Sequence, residues 1–66
     1  MEITVNGERK QLDGPTTVME LLHLLGIDPR AVVVERNLNI ISRDAMGSEP
    51  VRAGDSIEII RLVGGG

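Results

Sequence analysis

Apolar and polar residues alternate at the start of the chain. Ile3 and Val5 are separated by Thr4 and preceded by Glu2, the period-two pattern of a half-buried strand. Asn6-Gly7 follows, a pair suited to the two positive φ angles of a type I′ turn. Polar Glu8 to Gln11 and apolar Leu12 then complete a β-hairpin, and Asp13-Gly14-Pro15 ends it with turn chemistry. Next the period changes. In TTVMELLHLLGIDP, Val18, Leu21, Leu22 and Leu25 fall at i, i+3, i+4 and i+7, one apolar stripe of a helix. Thr17 and Glu20 have the spacing of a capping box. Gly26 stands where a left-handed C-terminal cap belongs, and Pro29 bars continuation. A helix of roughly 8–10 residues does not persist alone in water, so it is expected to lie on the hairpin's apolar face.

Val32, Val33 and Val34 form a continuous β-branched run, the pattern of a strand that is covered on both faces or centrally placed. Asn37 to Asn39 reads as a turn, and Ile40-Ile41 as a short fourth strand. Ser42 to Val51 reads as loop with one helical turn after Ser42; Gly54-Asp55 is a turn, and SIEIIRLV the last strand. The order β-β-α-β-β-β predicts an α+β fold, a single mixed sheet with one helix across one face. Because the helix connects the hairpin to a later strand, parallel pairing between the first and last strands is expected. Residues 1–63 read as one domain and residues 64–66 as a flexible glycine tail.

Composition narrows the function. With 66 residues the chain has room for one small domain, which buries only about 60% of the surface its unfolded chain exposes. There is no Cys and no Phe, Trp or Tyr. The core must be aliphatic, and thiolate metal sites, thiol redox chemistry and a cysteine nucleophile are excluded. Without aromatic platforms for stacking bases, and with a net charge of −3, a nucleic-acid partner is not expected. No apolar run approaches a membrane span or a signal core, so no membrane partner is expected and the location reads as cytoplasmic. The chain starts at Met1 without a tag or linker, which bears on how its far end is read.

Catalytic machinery is hard to find. The one histidine, His23, lies between two leucines, the ordinary place of a partly exposed helix residue. With one His and no Cys, no metal site is expected. Ser42, Ser48 and Ser56 lack a G-x-S-x-G context. The acidic residues read as solvated, with no pair of carboxylates held together, and there is no phosphate-binding glycine loop. Gly64, Gly65 and Gly66 remain. A frayed end is the ordinary reading of such a tail. Yet three glycines directly after a strand make a narrow, permissive lead that can thread a channel too tight for side chains. It delivers the α-carboxylate of Gly66. Ionised at neutral pH, with a pKa of about 3.3–3.7, that group is a poor electrophile and must be activated as an acyl phosphate or acyl adenylate. The chain has no nucleotide site, so it binds no cofactor itself, and a partner must use the ATP. In the last strand, period two places Ile57 and Ile59 on one face and Glu58, Ile60 and Leu62 on the other. Arg61 would then point inward, a costly place for an unpaired charge, so the strand is expected to leave the body there. Ile60 and Leu62, with Val63, are expected to dock partner enzymes beside the tail.

These features resemble the ThiS family, the sulfur carriers of thiamine biosynthesis, within the ubiquitin-like β-grasp fold. The resemblance rests on ITVNGE, the helix TTVMELLHLLGIDP, VVVERN leading to IISRD, and AGDSIEIIRLVGGG, and so covers essentially the whole chain. It implies that an E1-like (ThiF-like) adenylyltransferase converts the Gly66 carboxylate to an acyl adenylate. A persulfide derived from cysteine by a desulfurase would then lead to a thiocarboxylate. A thiazole synthase (ThiG-like) would take that sulfur into the thiazole ring. The chain is then a recycled co-substrate, not an enzyme. Gly65 and Gly66 match the family's Gly-Gly end, and Gly64 is a third glycine. The nearest alternative is the small subunit of molybdopterin synthase, which shares the fold and the thiocarboxylate chemistry; such chains are longer and often carry an aromatic contact near the tail. A ubiquitin-like protein modifier or binding module is the alternative of another class.

Overall fold

The structure is a computed structural model that describes residues 1–63. Strand β1 (Glu2–Val5) turns into β2 (Glu8–Gln11) through Asn6 and Gly7, whose φ angles of 50° and 82° are those of the expected type I′ turn. The chain then forms β3 (Thr16–Thr17) and helix α1 (Val18–Leu24). Both halves of the capping box are present: Glu20 N–H donates to the Thr17 hydroxyl, and Thr17 N–H donates to the Glu20 carboxylate. At the far end Gly26 (φ 71°) donates to the His23 carbonyl and Ile27 to the Leu22 carbonyl. That pair of bonds is a Schellman closure. It stops the helix after seven residues, shorter than the apolar stripe suggests.

Strand β4 (Val32–Arg36) follows a single 3₁₀ turn at Pro29–Ala31. Its partner β5 (Asn39–Ile41) is reached through Asn37 and Leu38, both at positive φ. A second 3₁₀ turn over Arg43–Ala45 leads to β6 (Pro50–Val51), and the chain continues to β7 (Ser56–Arg61). The five longer strands form a mixed sheet in the order β2-β1-β7-β4-β5. As expected, β1 and β7 are parallel, while β4 and β7 are antiparallel over five registered pairs.

Two sequence expectations need correction, and the structure decides between the two readings of the valine run, in favour of central placement. The two-residue strands β3 and β6 form a separate antiparallel ladder outside the main sheet; two residues are too few to show a period. The valine run is not covered on both faces: Val32 and Val34 are buried, while Val33 is half-buried on the opposite face. The run marks a strand with neighbours on both edges, since β4 lies between β5 and β7. Nor are the acidic residues all solvated. Asp55 is 6% exposed, and its carboxylate accepts from Arg36 Nε and the Arg52 backbone N–H (both 2.7 Å) and from Asn37 Nδ2 (3.0 Å). Arg36 Nη1 also reaches Glu49 at 3.1 Å, so two carboxylates share one guanidinium.

The helix lies on one face of the sheet. Val18, Leu21 and Leu22 pack in one cluster with Ile3, Val5, Val32, Val34, Ile41, Ile57 and Ile59, joined by Met46 and Val51. Ile57 is fully buried, while Ile60 on the other face is 47% exposed. Ile57→Ala is therefore expected to destabilise the fold by about 3 kcal/mol through lost burial and a cavity. Ile60→Ala should cost less than about 1 kcal/mol. Chemical denaturation of both variants checks the strand's parity.

Burial alone would push the Asp55 carboxyl up, but the hydrogen bonds from Arg36, the Arg52 N–H and Asn37 outweigh it and hold the group below its ordinary value. A lowered folded pKa contributes stability that is complete above the unfolded value, near about 3.9, and is lost as pH falls through the folded pKa. Asp55→Asn should therefore cost about 2 kcal/mol at neutral pH. It should also flatten the fall in stability below about pH 4, measured by denaturant titrations across that range.

Candidate functional site

The site is built around the outgoing end of β7. This strand is the middle member of the sheet, with β1 on one edge and β4 on the other. The β4 ladder continues to the end of the strand and one residue past it: Val33 pairs with Ile60, Val32 with Arg61, and Leu62 N–H donates to the Ala31 carbonyl at 2.9 Å. The strand ends at Arg61, whose side chain is exposed although period two assigns it to the core side. The apolar cluster ends at Ile59, so Arg61 is not buried unpaired. Val63, the last described residue, is 95% exposed. Gly64, Gly65 and Gly66, expected to be the lead and the reacting end, lie outside the described residues.

Ile60 and Leu62 are exposed, as the strand's alternation predicts, with Leu62 at 54%, and Val63 is exposed because it lies past the end of the strand. The register adds neighbours that sequence reading did not connect to them. Ile60 stands beside Val33, and Ile40, 70% exposed, stands across from Glu35 on the same open face. Glu35 in turn faces Glu58. Like charges opposite one another disfavour the sheet, and exposed isoleucines contribute little to it. An apolar strip bordered by two carboxylates thus covers the open face toward the chain's end. NII and VVVER carry no apolar–polar alternation that would signal it, and only the pairing register shows that these strands present their outward residues together.

The other candidate chemistry does not converge. His23 is exposed on the helix, and Ser42, Ser48 and Ser56 lie in separate surface segments. Glu49 and Asp55 are engaged by Arg36 in a structural ion pair. Among the described residues no three His, Asp or Glu side chains are grouped as a metal site needs. Among the same residues no helix is long and apolar enough to cross a membrane. The arrangement offers a held strand, an exposed apolar strip and an outgoing chain end.

Comparison with known proteins fits this arrangement. The chain is 41% identical over 66 residues to a thiazole synthase of Paramagnetospirillum magneticum, covering all of this chain but 20% of that protein. The chain thus spans about a fifth of the length of the curated thiazole synthases it matches. It is 31% identical to the sulfur carrier protein ThiS of Thermus thermophilus over 64 residues, which covers 97% of this chain and 98% of that one. A crystal structure of the thiamine biosynthesis protein ThiS from Geobacter metallireducens superposes with a TM-score of 0.88 at 36% identity, covering the whole of both chains. The ThiS family model matches residues 3–66, including the three glycines. The chain belongs to the ThiS family.

Proposed function

We propose that this chain is a sulfur carrier of thiamine biosynthesis whose reacting group is the α-carboxylate of Gly66. The observation that carries the reading is the family match, which runs through the glycine end to residue 66. It is supported by a central strand that leads the chain out beside an exposed apolar strip. In the proposed cycle a partner adenylyltransferase joins a Gly66 carboxylate oxygen to the α-phosphorus of ATP, and pyrophosphate leaves. A persulfide sulfur, derived from cysteine by a desulfurase, then attacks the acyl carbon and displaces AMP. Cleavage of the resulting S–S bond by a thiol leaves the thiocarboxylate. A thiazole synthase takes up that sulfur, and hydrolytic release regenerates the carboxylate. The chain acts as a protein co-substrate; its work is presentation, and ATP is held by the partner.

Thiazole synthase is proposed as a partner because relatives bearing that name contain a stretch that matches this whole chain. Ile60 and Leu62, with Val33 beside Ile60, form the docking strip, with Val63 leading into the tail and Ile40 on the same face beyond Glu35. Glu35 and Glu58 suit a partner face that is apolar at its centre and basic at its rim. The paired substitution Ile60→Ser and Leu62→Ser should leave the fold intact but weaken binding to the adenylyltransferase at least tenfold, about 1.4 kcal/mol. Titration calorimetry checks this; unchanged affinity would remove the strip from the interface.

The chemical test is mass spectrometry after incubation with ATP, a sulfur donor and the adenylyltransferase. The expected product has one oxygen replaced by one sulfur, mapped to Gly66. One residue added after Gly66 should abolish activation and leave folding unchanged. A lysine conjugate in place of the thiocarboxylate would make the chain a protein modifier.

A further inference from the structure

Strand β1 is too short to accompany β7 to its end. Its ladder opens with Thr4 N–H donating to the Asp55 carbonyl at 3.0 Å and Asn6 N–H to the Ile57 carbonyl at 2.9 Å. In an evenly spaced parallel ladder the next two groups to meet β7 would be the carbonyl of residue 6 and the N–H of residue 8. The type I′ turn at Asn6-Gly7 takes both away into the β1–β2 hairpin. The Asn6 side chain fills their place. Its Oδ1 accepts from Ile59 N–H at 2.7 Å, and its Nδ2 donates to the Ile59 carbonyl at 3.3 Å. One amide side chain thus stands in for the missing peptide groups, next to Ile60 and three residues before Leu62.

We propose that Asn6 is a positioning residue for tail presentation: its amide extends the sheet beneath the docking strip and holds the β1 edge of β7 as far as Ile59, where the β4 edge alone carries on to Leu62. The inference rests on the carrier reading above. Its geometry stands on the described residues alone. Asn37 supplies an internal control. It occupies the same position of the other two-residue turn, at φ 51° against 50° for Asn6, and its Oδ1 likewise accepts a β7 backbone N–H, that of Ser56 at 2.9 Å. That bond lies at the start of β7, the end remote from the tail.

The test compares Asn6→Gly with Asn37→Gly, each of which keeps a residue at ease with positive φ and deletes only the amide side chain. Both are assayed well below their unfolding midpoints, so that both are folded. Asn6→Gly should speed hydrogen exchange at the Ile59 amide and raise KM for the carrier in the adenylation reaction about five- to tenfold, with kcat within about twofold, as expected for the loss of two hydrogen bonds that order a presented segment. Asn37→Gly should lower the unfolding midpoint but leave that KM unchanged. Asn6→Asp, which keeps the acceptor for Ile59 N–H and loses the donor, should fall between Asn6→Gly and wild type. Unchanged exchange at Ile59 in Asn6→Gly overturns the clasp. Faster exchange with unchanged KM reduces Asn6 to a structural role and overturns the proposal. An equal rise in KM for Asn37→Gly does the same. A wild-type chain that the enzyme does not adenylate overturns the carrier reading, and with it the positioning role, while the exchange data still report whether the clasp exists.

Discussion

Strand β7 is the last strand of the described residues and sits in the middle of the sheet, hydrogen-bonded to β1 on one edge and to β4 on the other. Much of the molecule is arranged to satisfy it. Ile57 and Ile59 complete the apolar cluster under the helix. The bond between Asn6 and Ile59 joins residues 53 apart, so forming this edge of the strand carries the loop-closure entropy of most of the chain. A central last strand also resolves a conflict in the proposed chemistry. The carrier's reacting end must reach into a partner, while the domain that presents it must be rigid. Anchoring the strand on both edges as far as Ile59, and on one edge to Leu62, meets both demands.

The two ends of β7 are held by different chemistry. At its start, Asp55 is buried with Arg36, Asn37 and the Arg52 N–H around it, and Glu49 takes the second side of the guanidinium. Removing a carboxylate from water is costly unless its lone pairs are met. Among the described residues no buried side-chain polar atom lacks a partner. At the outgoing end the holding groups are neutral: an asparagine amide and a peptide carbonyl. The charges nearest that end, Glu35 and Glu58 on the open face and exposed Arg61 at the end of β7, are not among the ion pairs formed by the described residues. A partner can therefore meet the apolar strip without breaking an ion pair that the fold needs.

The open face also separates what folding requires from what presentation requires. Ile60, Leu62 and Ile40 are exposed and contribute little burial, and Glu35 faces Glu58 at some cost to the sheet. Their placement makes sense as a surface for a second protein, in keeping with the proposed carrier role.

Much of this was legible in the residues themselves. Asn6-Gly7 dictates a type I′ hairpin because few other pairs accept two positive φ angles. Thr17, Glu20 and Gly26 bound the helix through local hydrogen bonds, and the alternation in SIEIIR assigns Ile57 and Ile59 inward and Ile60 outward. These are short-range signals, set by backbone sterics and side-chain period. The tertiary structure decided what depends on pairing register between distant segments. Ile40 and Val33 join the face of Ile60 because β4 and β7 align as they do. Asp55 is buried because Arg36, nineteen residues earlier, reaches it. Asn6 has two roles, a turn residue by its backbone and a strand extension by its side chain, and only the first is written in its neighbours. No local pattern encodes the second, since the amide's partner is a peptide group fifty-three residues away.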